Sequence, residues 1–400
     1  MRWPNSGTLE SWAWRAVMPA LLLGGNAAGL TLFFVAVLRI VSWRQHHRGH
    51  AWTWKRGGVW WLAYFGLQVI GGCWSDDLDA WRLSLEVKSA LWFFPVLLAM
   101  PGRSVQREFW WSLGWSISAF LMWRMVRAGW CHVVWDMPGE WRYARFSGDV
   151  HPTYLGLHAA VAFLGLGQTW GHTVPKTWRW GITVLLALSL GFSGSKAGIL
   201  FALAVVLTRL AFHLPGAAFQ GARALSRSLA PDVMRWCLFL VVVTVSSWAI
   251  SSARFVEMGS AAAVLTEPEA PVQSSTSGRL AVWRGALEIV GQHPFGVGTG
   301  DVVSELMALY ERDGVDYAAA RRLNPHNQWL QAGVAFGWPG VLLLTLAFGS
   351  VWYWSWKTRN GLAWLCILLV MLHAGVESVL EVQRGVVFIL WMLMVQAPER

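Results

Sequence analysis

The residues best suited to chemistry fall in a few short stretches. The first is Asn324-Pro-His-Asn-Gln-Trp-Leu-Gln-Ala-Gly-Val-Ala-Phe-Gly-Trp-Pro-Gly340. Asn324 as N-cap and Pro325 as first helical residue would set His326 in a first helical turn. The positive end of a helix disfavours imidazolium, so His326 reads as a neutral imidazole able to take up a proton. Gly333 and Gly337 would share one helix face, where a backbone or a ligand can approach. The second stretch, Gly191-Phe-Ser-Gly-Ser-Lys-Ala-Gly198, reads as a tight turn that opens a helix at Lys196, capped by Ser193 or Ser195. Free N–H groups and an ammonium make an anion site there, and phosphate suits it. Arg124 and Arg127 close an apolar run, and Arg142 and Arg145 follow in the next loop. Finally, Ser277–Glu288 reads as an amphipathic helix with Leu280, Trp283 and Leu287 on one face, lying on an interface with Arg279 and Arg284 at headgroup level. One base and several cations suit displacement of an anionic leaving group.

Three other features have plainer readings. Asp76-Asp-Leu-Asp79 has a spacing that can hold a divalent cation, but it reads better as a solvated acidic loop. Gly296-Val-Gly-Thr-Gly300 follows His293-Pro294 without a βαβ context, so it is a turn with close backbone approach and no dinucleotide fingerprint. His373 and Glu377 stand at i, i+4. They either pair with each other or contribute to a site.

The elements that must position these residues are helices in a membrane. Of the 400 residues, 55% are hydrophobic and only 14% charged, against about 25% charged in soluble domains. That excludes a disordered chain, a coiled coil and, despite the net charge of +10, a nucleic-acid-binding protein. About twelve apolar runs, from 13–24 to 386–397, predict an all-α polytopic membrane protein. Residues 1–400 read as one integral membrane domain. A single large loop, 254–325, carries short amphipathic helices, and its 266–278 stretch reads as mobile. With both termini inside, 18 of the 32 basic residues but only 4 of the 22 acidic ones face inward. The basic excess is therefore mostly topology, and the cations named above are exceptions on the outer side. The 31 tryptophans fit interfacial anchoring. The four cysteines form neither a metal spacing nor a disulfide framework.

His326-Asn327, nine residues, then Gly337-Trp-Pro-Gly340 resembles the signature of the O-antigen ligases within the O-antigen ligase and polymerase superfamily. Arg145-Phe-Ser-Gly148 with His151-Pro152, Ser277-Gly-Arg-Leu280 with Trp283, and Pro294-Phe-Gly-Val-Gly298 support it. The resemblance implies a GT-C-like fold in the bacterial inner membrane, with the active site facing the periplasm and 254–325 as a periplasmic loop. It implies a metal-independent, cofactor-free transfer of glycan from undecaprenyl pyrophosphate to a sugar hydroxyl of lipid A-core. His326 would be the base and Arg279 a pyrophosphate grip, with Lys196, Arg145, Arg142, Arg124 and Arg127 as further cations. Lys196 stands where the family usually has arginine, which keeps the charge but loses the bidentate fork. A polymerase or protein O-oligosaccharyltransferase of the same superfamily is the nearest alternative. A lipid-linked saccharide flippase is the alternative of another class, although no internal repeat is visible to favour it.

Overall fold

The computed structural model describes residues 6–43, 57–100, 105–167, 170–219, 232–249 and 275–395. The first part of the expected mobile loop, 266–274, lies outside them. Among the described residues the regular structure is helical, with no strand. The chain opens with α1 (Ser6–Leu23) and α2 (Gly25–Trp43), followed by α3 (Val59–Ile70), α4 (Leu78–Val87) and α5 (Ala90–Ala99). The break between α1 and α2 falls at Gly24, whose φ of 150° suits glycine. The apolar run 84–100 is divided at Lys88-Ser89 instead of forming one helix. Next come the long α6 (Gln106–Trp135), the short α7 (Tyr143–Ser147), α8 (Pro152–Leu166), α9 (Lys176–Ser193), α10 (Lys196–Phe219) and α11 (Asp232–Ala249).

The segment 275–320 contributes α12 (Ser275–Gln292), α13 (Val302–Arg312) and α14 (Asp316–Ala320). The chain finishes with α15 (Gln328–Lys357), α16 (Gly361–Val376) and α17 (Gln383–Val395). By length and composition α11 and α15 can each cross a membrane, while 26–42, 59–73, α8, α16 and α17 are shorter apolar helices. Every residue of α8 is buried, as is α17 from Gly385 to Val395. Helices apolar all round belong at the centre of a bundle: α6, α9, α10 and α16 pack against α8, and α1, α2, α5, α6 and α16 against α17.

Buried charge ties one end of the bundle together. Arg39 on α2 donates to Glu10 on α1 at 2.8 Å and to the Met100 carbonyl at 3.0 Å. Ser42 adds a bond to the second Glu10 oxygen at 3.0 Å. Both charged side chains are nearly inaccessible, so each supplies the partner the other needs in a low dielectric.

The helices α12 to α14 form a lobe with its own core, in which Val282, Ala286, Ile289, Leu306 and Tyr310 meet Val334 and Phe336 of α15. The inward face of α12 therefore runs through Val282, Ala286 and Ile289, not through Leu280, Trp283 and Leu287. Leu287 is 60% exposed. Gly285 admits the Leu309 side chain, and the Trp283 indole is held at one edge by a 2.7 Å bond to the Pro325 carbonyl. Arg279 lies three residues before Val282, hence on the inward face at its N-terminal end.

A kink in α15 joins lobe and bundle. Gly337 takes φ 61° and ψ −148°, and Pro339 follows. In a regular helix, residues 338 and 339 would donate to the carbonyls of Val334 and Ala335. Pro339 has no N–H, and the Trp338 N–H bonds instead to Pro294 O at 3.0 Å. Val297 and Gly298 then donate to the two released carbonyls at 2.9 and 3.0 Å. The close backbone approach expected of the 296–300 turn is thus made onto the opened helix. A Cβ on Gly337 would overlap the Pro294 carbonyl, and the conformation is nearly closed to other residues. Gly337→Ala should cost about 3 kcal/mol or more and lower the thermal midpoint of the purified protein. Gly349→Ala, at a position with open space around it, should leave the midpoint nearly unchanged. Equal effects from the two would contradict this account.

Candidate active site

The site is built where α15 begins. Asn327, not Asn324, is the N-cap: its Oδ1 accepts from the N–H of Trp329 at 2.9 Å and of Leu330 at 3.1 Å. Asn324 uses its own Oδ1 to accept from the His326 N–H at 2.9 Å, turning the chain two residues earlier. His326 therefore sits outside the helix, with a φ of 45°. The helix-end argument for a neutral imidazole does not apply to it, and its chemistry follows from its partner.

That partner is Glu377, the residue that ends α16. His326 Nδ1 donates to Glu377 Oε1 at 2.6 Å, and Arg279 Nη2 approaches Oε2 at 3.4 Å. One carboxylate thus joins the expected base to one expected cation. Glu377 pairs with His326 and Arg279 and not, as the i, i+4 spacing had allowed, with His373. The His373 ring is buried between the rings of Tyr154 and Phe201, at centroid distances of 4.8 and 5.5 Å. Burial pushes the Glu377 carboxyl up. The hydrogen bond and charge of His326 outweigh it, together with Arg279 and His151, and hold the carboxyl below its ordinary value. An ionised Glu377 fixes the proton on Nδ1 and leaves Nε2 with its lone pair, the tautomer a general base needs.

The other candidate cations lie in different settings. Arg124 Nε donates to the Phe146 carbonyl at 2.6 Å, and its guanidinium also reaches the Arg145 carbonyl, so it closes the C-terminal end of α7. Arg127 pairs with Glu140. Both hold the 138–148 loop against α6. Arg142 and Arg145 are exposed on that loop. Its continuation reaches the site: Arg384 donates to Asp149 O at 2.8 Å, and His151 lies near enough to act on Glu377. Lys196 is half-buried in the first turn of α10, and Ser195 caps that turn by accepting from Gly198 N–H at 3.2 Å. Arg284 is exposed on the outer side of α12. The acidic 76–79 stretch has a structural use, since Asp77 caps α4 and Asp301 accepts from the N–H groups of Asp76 and Asp77 at 2.8 and 3.0 Å.

Beneath the site runs a polar network that sequence reasoning missed. Lys88, 2% exposed, pairs with Glu381 at 2.8 Å and donates to Gln68 Oε1 at 3.2 Å. Gln328 donates to Glu381 at 3.3 Å and accepts from Leu380 N–H at 2.7 Å. This fixes the 377–382 segment, and Glu377 with it, to the first residue of α15. The available signal was a lysine inside an apolar run, which is costly at membrane depth unless it has a use.

The depressed Glu377 pKa makes a prediction about acid. The pair's contribution is present above the ordinary carboxylate value and lost only as pH falls through the lower folded-state value. The difference in thermal stability between the wild type and Glu377→Gln should stay level through mildly acidic buffers and shrink only below about pH 4.5. A difference that collapses near pH 6 would show that the histidine and not the glutamate controls the pair.

The chain has no match among individually curated proteins. Residues 181–345 match the family described as O-antigen ligase. The matched segment runs from within α9 into α15, so it holds Lys196, Arg279, His326, Asn327, Gly337 and Gly340 and ends before Glu377. The family covers O-antigen ligases and polymerases, glycosyltransferase-like enzymes of the bacterial inner membrane that act on lipid-linked glycans and lipid acceptors. His326 and the arginine that meets it on Glu377 both lie inside the matched segment, and the match supports a place for this chain in the O-antigen ligase superfamily.

Proposed function

We propose that this protein is an O-antigen ligase. It moves the glycan en bloc from undecaprenyl pyrophosphate to a sugar hydroxyl of lipid A-core at the periplasmic face, without a metal ion. The observation that supports this most is the contact of His326 and Arg279 with the two oxygens of Glu377. It sets a proton acceptor and a cation side by side at the membrane end of the outer lobe.

In this reading the acceptor hydroxyl gives its proton to His326 Nε2 as its oxygen attacks the anomeric carbon. The bond from that carbon to the pyrophosphate oxygen breaks, and its electron pair leaves with the pyrophosphate. Arg279, with five N–H donors, meets the charge that develops there. Glu377 holds the imidazole in the reactive tautomer and stabilises the imidazolium formed. A single displacement inverts the anomeric configuration. Arg142, Arg145 and Lys196 supply positive potential at the same end of the bundle, steering the donor's diphosphate. Arg124 and Arg127 act by holding the 138–148 loop.

Reconstitution with lipid-linked glycan and lipid A-core in detergent tests the reading, since no bilayer separates two compartments and a flippase would form no product. His326→Ala should abolish transfer. Arg279→Ala should reduce it by about a hundredfold or more, and Glu377→Gln by about a thousandfold or more through the lost tautomer. Near-normal ligation by His326→Ala would remove the assigned base. Glycan chains lengthened on the carrier, with lipid A-core left unmodified, would identify a polymerase instead. Transfer should also persist in chelator. Activity lost there and restored by magnesium or manganese would return Asp77 and Asp79 to consideration.

A further inference from the structure

We propose that Trp74, Phe295 and Trp338 form an aromatic anchor that seats the junction of lobe and bundle in the headgroup plane of the bilayer. The three stand on one continuous surface. The Trp338 N–H is bonded to the Pro294 carbonyl, next to Phe295. Gly71 lies against the Phe336 ring, and Ser75 Oγ accepts from the Gly300 N–H at 3.1 Å. Phe295 is 75% and Trp338 64% exposed, and Ile70 and Trp74 are exposed with them. The main-chain bonds across the kink hold both 294–298 and 336–338 in place, so the backbone itself presents the two aromatics outward. This contact is independent of which transfer the site performs.

Length and polarity both point to a lipid interface. At Gly337 the helix doubles back. Trp329 Nε1 donates to Thr345 Oγ1 at 3.2 Å, and its ring lies 5.7 Å from that of Phe348. A straight helix would hold residues 329 and 345 about 24 Å apart. The arm available to cross a membrane is therefore the one after the kink. From Trp338 to Trp356 it runs about 27 Å, close to the roughly 30 Å of a hydrocarbon core. Its far end carries the exposed Tyr353 and Trp356, with Lys357 over the rings of Tyr353 and Trp354 at 5.8 and 4.9 Å. Aromatic rings with a cation mark one membrane–water boundary, and Trp338 then falls at the other. Polarity agrees. Just past Trp74 the chain reaches Asp76, Asp77 and Asp79, which line an open recess with Asp301 and Glu305. So many carboxylates belong in water, since charge at membrane depth is costly. Apolar Ile70, aromatic Trp74 and the acids thus follow one another in the order met on leaving hydrocarbon, through headgroups, for water. The first arm of α15, folded back along the second, runs from this plane into the leaflet. It carries the helix start, with His326 beside it, beneath the headgroups.

Environment-sensitive fluorophores test the anchor. They are attached to single cysteines in the full-length protein, its four native cysteines replaced by alanine, in phosphatidylcholine vesicles. A label at Phe295→Cys should lose more fluorescence to phosphatidylcholine carrying a nitroxide near the headgroup than to one carrying it near the chain end. A label at Gly349→Cys, about 16 Å along the second arm from Trp338 and in open space, should show the reverse order. A label at Ser304→Cys, on the acidic recess, should lose fluorescence only to aqueous iodide. Trp338→Cys reads the same plane should Phe295→Cys fail to fold. A label at 295 that answers to iodide alone would put the patch in water and overturn the proposal. Shielding of that label from every quencher would mean that protein covers it, another segment of this chain or a partner, and would overturn it equally. So would a label at 349 that no lipid-borne nitroxide reaches.

Discussion

The exchange of backbone hydrogen bonds at the α15 kink is the constraint on which the rest depends. A helix interrupted by Gly337 and Pro339 leaves the carbonyls of the buried Val334 and Ala335 without intrahelical donors, and a buried carbonyl without a donor is costly. The N–H groups of Val297 and Gly298 meet those carbonyls, and Pro294 takes the N–H that the helix no longer uses. The lobe's attachment to the bundle is thus written in main-chain atoms as well as in apolar contact. The same ten-residue piece of α15 carries the lobe's core residues on its flank and Asn327 at its start. What fixes the lobe also fixes the histidine.

Glu377 has a matching economy. A carboxylate at a buried helix end is expensive alone. Two cationic or proton-donating partners reach it from different parts of the chain, one from α12 in the lobe and one from the entrance to α15. The buried Lys88–Glu381 pair extends the pattern one layer deeper. In each case a charge from the 377–382 segment is matched by a charge from a remote element, so the segment has few alternative positions.

Much of this was legible in sequence, and the reasons for success and failure differ by residue. The Gly24 break and the opening of α8 at Pro152 and of α10 at Lys196 are local matters of turn and cap chemistry, and they fall where the residues say. His326 and Arg279 stood out because a base and a misplaced cation are conspicuous in an apolar chain. Their meeting point was not legible, because Glu377 lies 51 residues beyond the histidine and only the α15–α16 hairpin returns it. Two good capping asparagines, Asn324 and Asn327, compete for one helix start. Tertiary packing decides between them, through the bond from the Asn327 amide to Gly375 O at 3.1 Å. The face of α12 was misread for a related reason: glycines 278 and 285 carry no hydrophobic signal, yet they mark where the chain is approached most closely.

The kink also has a mechanical side. Ten residues separate Asn327 from Gly337, a rigid arm of about 15 Å. A swing of only about 5° at its pivot would carry the arm's tip by a little over 1 Å, enough to part a hydrogen bond of ordinary reach. An arm that long can hold an imidazole on a carboxylate only if its pivot is stiff. Three main-chain bonds across the kink supply that stiffness, so a break that looks like a weak point in α15 works as a welded elbow.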